Sequence, residues 1–324
     1  NIDGLRMDIR PGVNMGVDRG YWFADSNLSW RYTQYDLDGT APGVENEPDR
    51  SLPTFDLKSG LRFERMDRTG LLQTLEPTLY YLYTPFERQN DIPIFDAGLP
   101  DFSVSELFSD NRFTGVDRIG DANQLTYALT SRVINPGTGK VLFRGTIGQI
   151  YYFRDPRVRL PGVPVNTQFN ENHSDVLGEM DITLSEKWSN HYSVQWDLEE
   201  ERYNRGSVHF RYRPRENSVL NLAYRFRRDV LEQTDISAIW PLSSRWSMVG
   251  RWNYSLAARQ NVESLAGLEY NSCCWAARFA WRRFIVDNNE YNDAFYLQLE
   301  LSGLARFGES IDRLINRDIV GFLP

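Results

Sequence analysis

The chain has 324 residues, a formal net charge of −8 and an aromatic content of 14%. The acidic balance, with no basic stripe interleaved with aromatics, argues against a nucleic-acid-binding protein. No run approaches the roughly 18 apolar residues of a transmembrane helix, and the scattered His173, His191 and His209 share no ligand spacing, so no metal and no cofactor is expected.

The chain opens Asn1-Ile2-Asp3-Gly4, polar and strand-like with no secretory leader, as a mature or truncated form would. From there the hydrophobic pattern has a period of two, and alternate side chains of a strand point to opposite faces. Leu5, Met7 and Ile9 alternate with Arg6, Asp8 and Arg10. Trp22, Leu28, Trp30 and Tyr32 stand against Asp25, Asn27, Ser29 and Arg31, and Phe55, Leu57, Leu61 and Phe63 against Asp56, Lys58, Arg62 and Glu64. A fourth strand runs from about Leu71 to Tyr83 and loses a ladder hydrogen bond at Pro77. A hairpin near 124–133 and 141–153 turns at Asn135-Pro136-Gly137-Thr138-Gly139, its second strand alternating poorly. From Val176 onward strands recur at short, regular spacing, the mark of a meander. The last, Tyr291–Gly303, carries Phe295, Leu297, Leu299 and Leu301 on one face. The total is about fifteen strands of the length a barrel wall needs.

One segment indicates the surroundings. Trp275, Ala277, Phe279 and Trp281 alternate with Ala276, Arg278, Ala280 and Arg282. Tryptophans on one face and arginines on the other suit a barrel wall with lipid outside and water inside. Connector lengths agree: 36–47, 84–123 and 154–174 are long and follow even-numbered strands, whereas those after odd-numbered strands are short. That asymmetry places short turns in the periplasm and long loops outside the cell. The expected fold is all-β, an antiparallel transmembrane β-barrel of the outer membrane over residues 1–303. A periplasmic tail, 304–324, follows, with Ile311, Leu314, Ile315 and Ile319 near helical spacing. Single-chain barrels have even strand numbers, so an odd count means a strand miscounted or the C-terminal part of a larger barrel.

Cys273 and Cys274, read as part of a strand, point to opposite faces and do not suit pairing with each other. They are either two small packed residues or partners of cysteines outside this chain. Arg211, Arg213, Arg225, Arg251, Arg278 and Arg282 fall on the polar face, where Asp181, Asp197, Glu269 and Glu300 offer ion-pair partners. No nucleophile with a nearby base stands out, so an enzyme is not expected.

Several ordered motifs resemble the LptD family of lipopolysaccharide-assembly proteins. They are the run from Gln73 to Tyr83 (QTLEPTLYYLY), Gly98-Leu99-Pro100-Asp101-Phe102, Asn111-Arg112-Phe113-Thr114-Gly115, the run from Asp117 to Leu125 (DRIGDANQL), the run from Ile147 to Phe153 (IGQIYYF) and Cys273-Cys274. The resemblance covers nearly the whole chain. It implies a barrel of about 26 strands, with an N-terminal periplasmic jelly-roll and the first barrel strands absent here. It implies an LptE-like lipoprotein plug in the lumen, a periplasmic bridge protein that meets the missing N-terminal domain, membrane lipid around the wall, and lipopolysaccharide as cargo. It implies lateral release between first and last strands, with Phe295, Leu297, Leu299 and Leu301 on the gate strand. It also implies disulfides from Cys273 and Cys274 to cysteines of the missing part. The 84–123 loop carries Phe95, Leu99, Phe102, Val104, Leu107, Phe108 and Phe113, too apolar for a solvated connector. It is expected to fold inward and cap the lumen, as a seal or as a contact for plug or cargo. The alternative reading is a passive porin, which would close alone and need no paired cysteines.

Overall fold

The computed structural model describes residues 3–39, 45–162, 172–286, 290–301, 303 and 305–308. Among them lie eighteen strands. These are β1 (Asp3–Ile9), β2 (Gly12–Asp18), β3 (Trp22–Asp38), β4 (Asp49–Leu61), β5 (Phe63–Met66), β6 (Leu72–Thr84), β7 (Ala122–Asn135), β8 (Lys140–Tyr152) and β9 (Val176–Ser185). They continue as β10 (Trp188–Asp197), β11 (Arg202–Arg215), β12 (Ser218–Arg227), β13 (Leu231–Pro241), β14 (Trp246–Ser255), β15 (Gln260–Asn271), β16 (Trp275–Ile285), β17 (Tyr291–Leu301) and β18 (Ala305–Gly308). The pairing is an antiparallel meander, the all-β class expected. No helix among the described residues is long and apolar enough to cross a membrane.

Two prolines account for most of the difference from about fifteen expected strands. β1 and β2 both pair with β3 in one register, interrupted at Pro11. Trp30 N donates to Pro11 O at 2.9 Å, but proline has no N–H to return the bond. β4 and β5 likewise share a register on β6, interrupted opposite Pro77. The remaining extra strand is β18, in the tail, where Ala305–Gly308 pairs with the end of β17. Ile311, Leu314, Ile315 and Ile319 lie outside the described residues. β8, whose alternation is blurred by Gly145 and Gly148, pairs along the length of β7.

The chain divides into two compact units, one of residues Asn1–Glu179 and Gln195–Arg202, the other of Met180–Val194 and Tyr203–Pro324. In the first, Leu28, Trp30, Leu57, Leu79, Leu129 and Ile147 are exposed on one face of the sheet. The opposite face holds Thr33, Tyr35, Arg50, Thr54, Tyr80, Thr84, Thr126 and Ile150, all buried, because the 85–121 connector lies across it. A row of small residues makes room: Gly60, Thr78, Ala128 and Gly148 stand directly opposite one another across four strands. A Cβ on Gly148 would meet Leu107 Cδ1 at 2.7 Å and Ala128 Cβ at 2.9 Å. Leu107, in a 3-10 turn (Glu106–Phe108), is therefore seated on a surface that only small side chains leave open. Its burial contributes about 1.5–3 kcal/mol.

In the second unit the exposed face reads Tyr212, Leu220, Ala238, Gly250, Ala266, Trp281, Phe295 from strand to strand, without a polar residue. A neighbouring row reads Trp240, Met248, Leu268, Phe279, Leu297. Apolar surface this continuous needs lipid or a partner to cover it. Trp246 packs edge-on to Tyr270, which Trp275 meets tilted, at the end that holds the 242–245 and 272–274 turns, and Trp252 meets Tyr254 tilted at the other, as aromatic girdles do at the two interfaces of a bilayer.

Candidate functional site: the latched loop, the last strand and the cysteine turn

The 85–121 connector is held by a polar lock as well as by its apolar side chains. Arg50, on β4, is 0% exposed. Its Nη1 donates to Gln89 Oε1 at 2.9 Å and Asp117 O at 3.2 Å, its Nη2 to Val116 O at 2.6 Å and Thr33 Oγ1 at 3.0 Å. Gln89 completes a bridge, donating to Ile119 O and accepting from Ile119 N. The Asp117 carboxylate accepts from Arg6 Nη1 at 2.7 Å, Tyr35 OH at 2.8 Å, Phe95 N at 2.6 Å and Asp96 N at 2.7 Å. Burial pushes this carboxyl up, but the backbone amides of Asp96 and Phe95 and the Tyr35 hydroxyl outweigh it and hold the group below the ordinary carboxylate range. Asn111 ties the loop to itself through Phe113 O, Arg118 O and Gly120 N. Burial draws the Arg112 guanidinium down to about 10, against Asp121 at 3.5 Å.

The apolar residues of the loop divide. Phe102, Val104, Leu107 and Phe108 pack on Ile150, Tyr152 and Leu177, with Phe108 also edge-on to Tyr80 and under Lys58 Nζ. Phe113 and Leu99 pack with Val158 and Leu160 of the next connector. Phe95 is half exposed, its backbone rather than its ring engaged by Asp117. Sequence reasoning singled out these aromatics and missed Arg50, Gln89 and Asp117. The charge of the loop gave no signal, because Asp117 is one of many charged residues in it, among them Glu87, Asp91, Asp96, Asp110 and Arg112.

Cys273 and Cys274 are not in a strand: β15 ends at Asn271, β16 begins at Trp275, and Ser272 N donates to Trp275 O across the turn at 2.9 Å. Side chains in a turn do not alternate between the faces of a sheet, so the strand geometry expected for the two cysteines does not hold. Both are exposed and unbonded, and the Cys273 sulfur beside it pushes the Cys274 thiol up.

On β17, Phe295, Leu297 and Leu299 are exposed, at 71%, 70% and 40%, while Leu301 is half-buried. One edge of β17 pairs with β16 from Tyr291 to Leu301. Along the other, β18 covers only Gln298–Leu301 among the described residues.

The polar face of the second unit is charge-paired in places. Arg278 lies 3.2 Å from Glu269 and 2.8 Å from Glu300, as expected. Arg251 joins Asp235 and Glu263, and Arg282 shares Glu263. Asp181 pairs with His191 at 2.8 Å rather than with an arginine. Asp197, in the first unit, accepts from Glu199 N and Glu200 N in the turn that follows.

The LptD family, described as LPS transport system D, matches residues 1–246. The LPS-assembly protein LptD of Nitrosococcus oceani is 40% identical over 323 residues, 98% of this chain and 43% of that protein. Its counterpart in Aromatoleum aromaticum is 40% identical over 324 residues, 99% and 41%. That of Thiobacillus denitrificans is 39% identical over 325 residues, 99% and 44%. The chain spans about two fifths of the length of these relatives.

Proposed function

Because this chain belongs to the LptD family, we propose that it is the C-terminal wall of an outer-membrane β-barrel that places lipopolysaccharide in the outer leaflet. The observation that supports this most is the open stretch of β17. Tyr291–Leu297 has a described partner on one edge only, and its outward Phe295 and Leu297 are the most exposed apolar side chains of the strand. An unpaired edge invites another strand, and a seam between the first and last strands of the whole barrel can part without breaking the meander. Acyl chains leave sideways through that seam while the headgroup stays in water. The latched 85–121 loop caps the lumen, long loops face outward and short turns face the periplasm. The cysteine turn then lies in an oxidising compartment, where exposed Cys273 and Cys274 pair with cysteines of the N-terminal part. A lipoprotein plug fills the lumen and a periplasmic bridge delivers cargo to the N-terminal domain. The work is transport rather than bond chemistry.

The test is an engineered disulfide, in the full-length protein, between Leu297→Cys, within the open stretch, and the facing position on the first barrel strand. Surface lipopolysaccharide is expected to fall when the seam is locked and to recover on reduction. Undiminished export with the seam fully crosslinked overturns lateral release. Ion conductance by the purified protein without a plug, together with normal export after Cys273→Ser and Cys274→Ser, favours the porin reading.

A further inference from the structure

The polar face of the second unit carries one row that is not polar. Val219, Ile239, Val249, Gly267, Ala280 and Tyr296 stand directly opposite one another from β12 to β17. The rows on either side carry charge, with Arg251 and Arg282 in one and Glu269 and Arg278 in the other. An apolar row this long on a face turned to water needs something to cover it. The row is indeed buried: Val219 is 3% exposed, Ile239 9% and Ala280 0%. Among the described residues, the partly buried apolar side chains packed against these three are Val249 and Tyr296, of the same row. One sheet layer covers its own face only in part, so a second layer is called for.

The chain itself supplies a cover that starts in the right place. β18 ends at Gly308, directly opposite Gln298, which is two residues along β17 from Tyr296. Gly308 has a φ of +94°, and a Cβ there would collide with Leu297 O, so only glycine lets the backbone leave the ladder this close to β17. Residues 309–324 follow, with Ile311, Leu314, Ile315 and Ile319 at the i, i+3, i+4, i+8 spacing of an amphipathic helix. At about 100° per residue these four and Phe322 fall within an arc of about 140°, with Arg313, Asn316 and Arg317 on the opposite side. A helix over 311–320 is about 15 Å long. That matches the three strand spacings, about 14 Å, from Tyr296 to Val249.

We propose that residues 311–320 form an amphipathic helix that docks on this apolar row, setting Ile311, Leu314, Ile315 and Ile319 against Val249, Ala280 and Tyr296. Asp318 shares the apolar arc, and the arginines of the flanking rows are its counter-charges. Tyr296 belongs to the open stretch of β17, so the docked segment braces that stretch from the polar side. The proposal stands on the wall alone and does not depend on what the barrel exports.

The test uses the full-length protein in cells, with a photo-crosslinking residue at Ile315 and, separately, at Arg313 on the opposite side of the helix. Mass spectrometry of the digested protein is expected to join Ile315 to peptides carrying Val249, Ala280 or Tyr296, and Arg313 to none of them. Hydrogen exchange of the purified protein gives a second reading that needs no change in the wall. Ile315→Asp should make the amides of 311–320 exchange about 10–100-fold faster, the factor that goes with losing a buried isoleucine, whereas Arg313→Gln stays within about threefold. An Ile315 adduct to another protein only, adducts to no peptide of β12–β17, or a segment that exchanges equally fast in all three forms overturns the docking.

Discussion

Replacing Arg50 by leucine should loosen the 85–121 loop while leaving the strands in place. The guanidinium supplies three hydrogen bonds to loop acceptors, Gln89 Oε1, Val116 O and Asp117 O, and a fourth to Thr33 within the sheet. A hydrogen bond from a charged donor contributes about 1.5–3 kcal/mol net. The three share one network and do not add in full, so the loss is about 3–4 kcal/mol. It is confined to loop docking, because Leu107, Phe108 and Phe113 keep their apolar contacts. The assay is hydrogen exchange of the detergent-solubilised full-length protein, followed by mass spectrometry on peptides from 85–121. The amides of Phe95, Asp96 and Ile119, bonded to Asp117 and Gln89, should exchange about 10²–10³-fold faster, as 3–4 kcal/mol of local opening requires. Peptides from β14 to β16 should not change. A change below about threefold in the loop would refute the Arg50 lock and leave the apolar anchors and the Asp117 bonds to Arg6 and Tyr35 as the attachment.

Acid should release the same loop in a defined direction. The folded Asp117 carboxyl is depressed, so its contribution is complete above the ordinary carboxylate value of about 3.9. It is lost only as pH falls through the lower folded value. Protease protection of the loop should be flat from neutral pH to about 4 and fall below it, and Asp117→Asn should weaken protection above about pH 4 and flatten the acid dependence below it. Gly148→Val should cost about 1–3 kcal/mol by overpacking, since the new side chain meets Leu107 and Ala128; an unchanged urea midpoint would show that Leu107 is not seated there. Arg278→Gln leaves Glu269 and Glu300 facing each other without their cation. The expected loss is about 2 kcal/mol at this partly wet site, and Glu300→Gln in the same chain should recover part of it in the same unfolding measurement.

Much of the wall was legible without coordinates, because a strand writes its two faces into the chain at a period of two. Trp275, Phe279 and Arg278 sort themselves before any partner is known, and so do Val208, Phe210 and Arg211. Long and short connectors are equally local facts. What required the tertiary structure was everything set by register and by contacts distant in sequence. The prolines at 11 and 77 were visible, but only the pairing explains why two ladders break at them. Arg251 and Arg282 converge on Glu263, rather than on the acids expected for them, because the register of β14, β15 and β16 brings those three side chains together. The cysteines looked like the start of a strand, and a hydrogen bond from Ser272 to Trp275 makes them a turn. Arg50, Gln89 and Asp117 carry no periodic signal. Gln89 and Asp117 lie 39 and 67 residues beyond Arg50 along the chain, and the three become a lock only where the folded connector buries them, since a buried charge must find its hydrogen bonds wherever the fold supplies them.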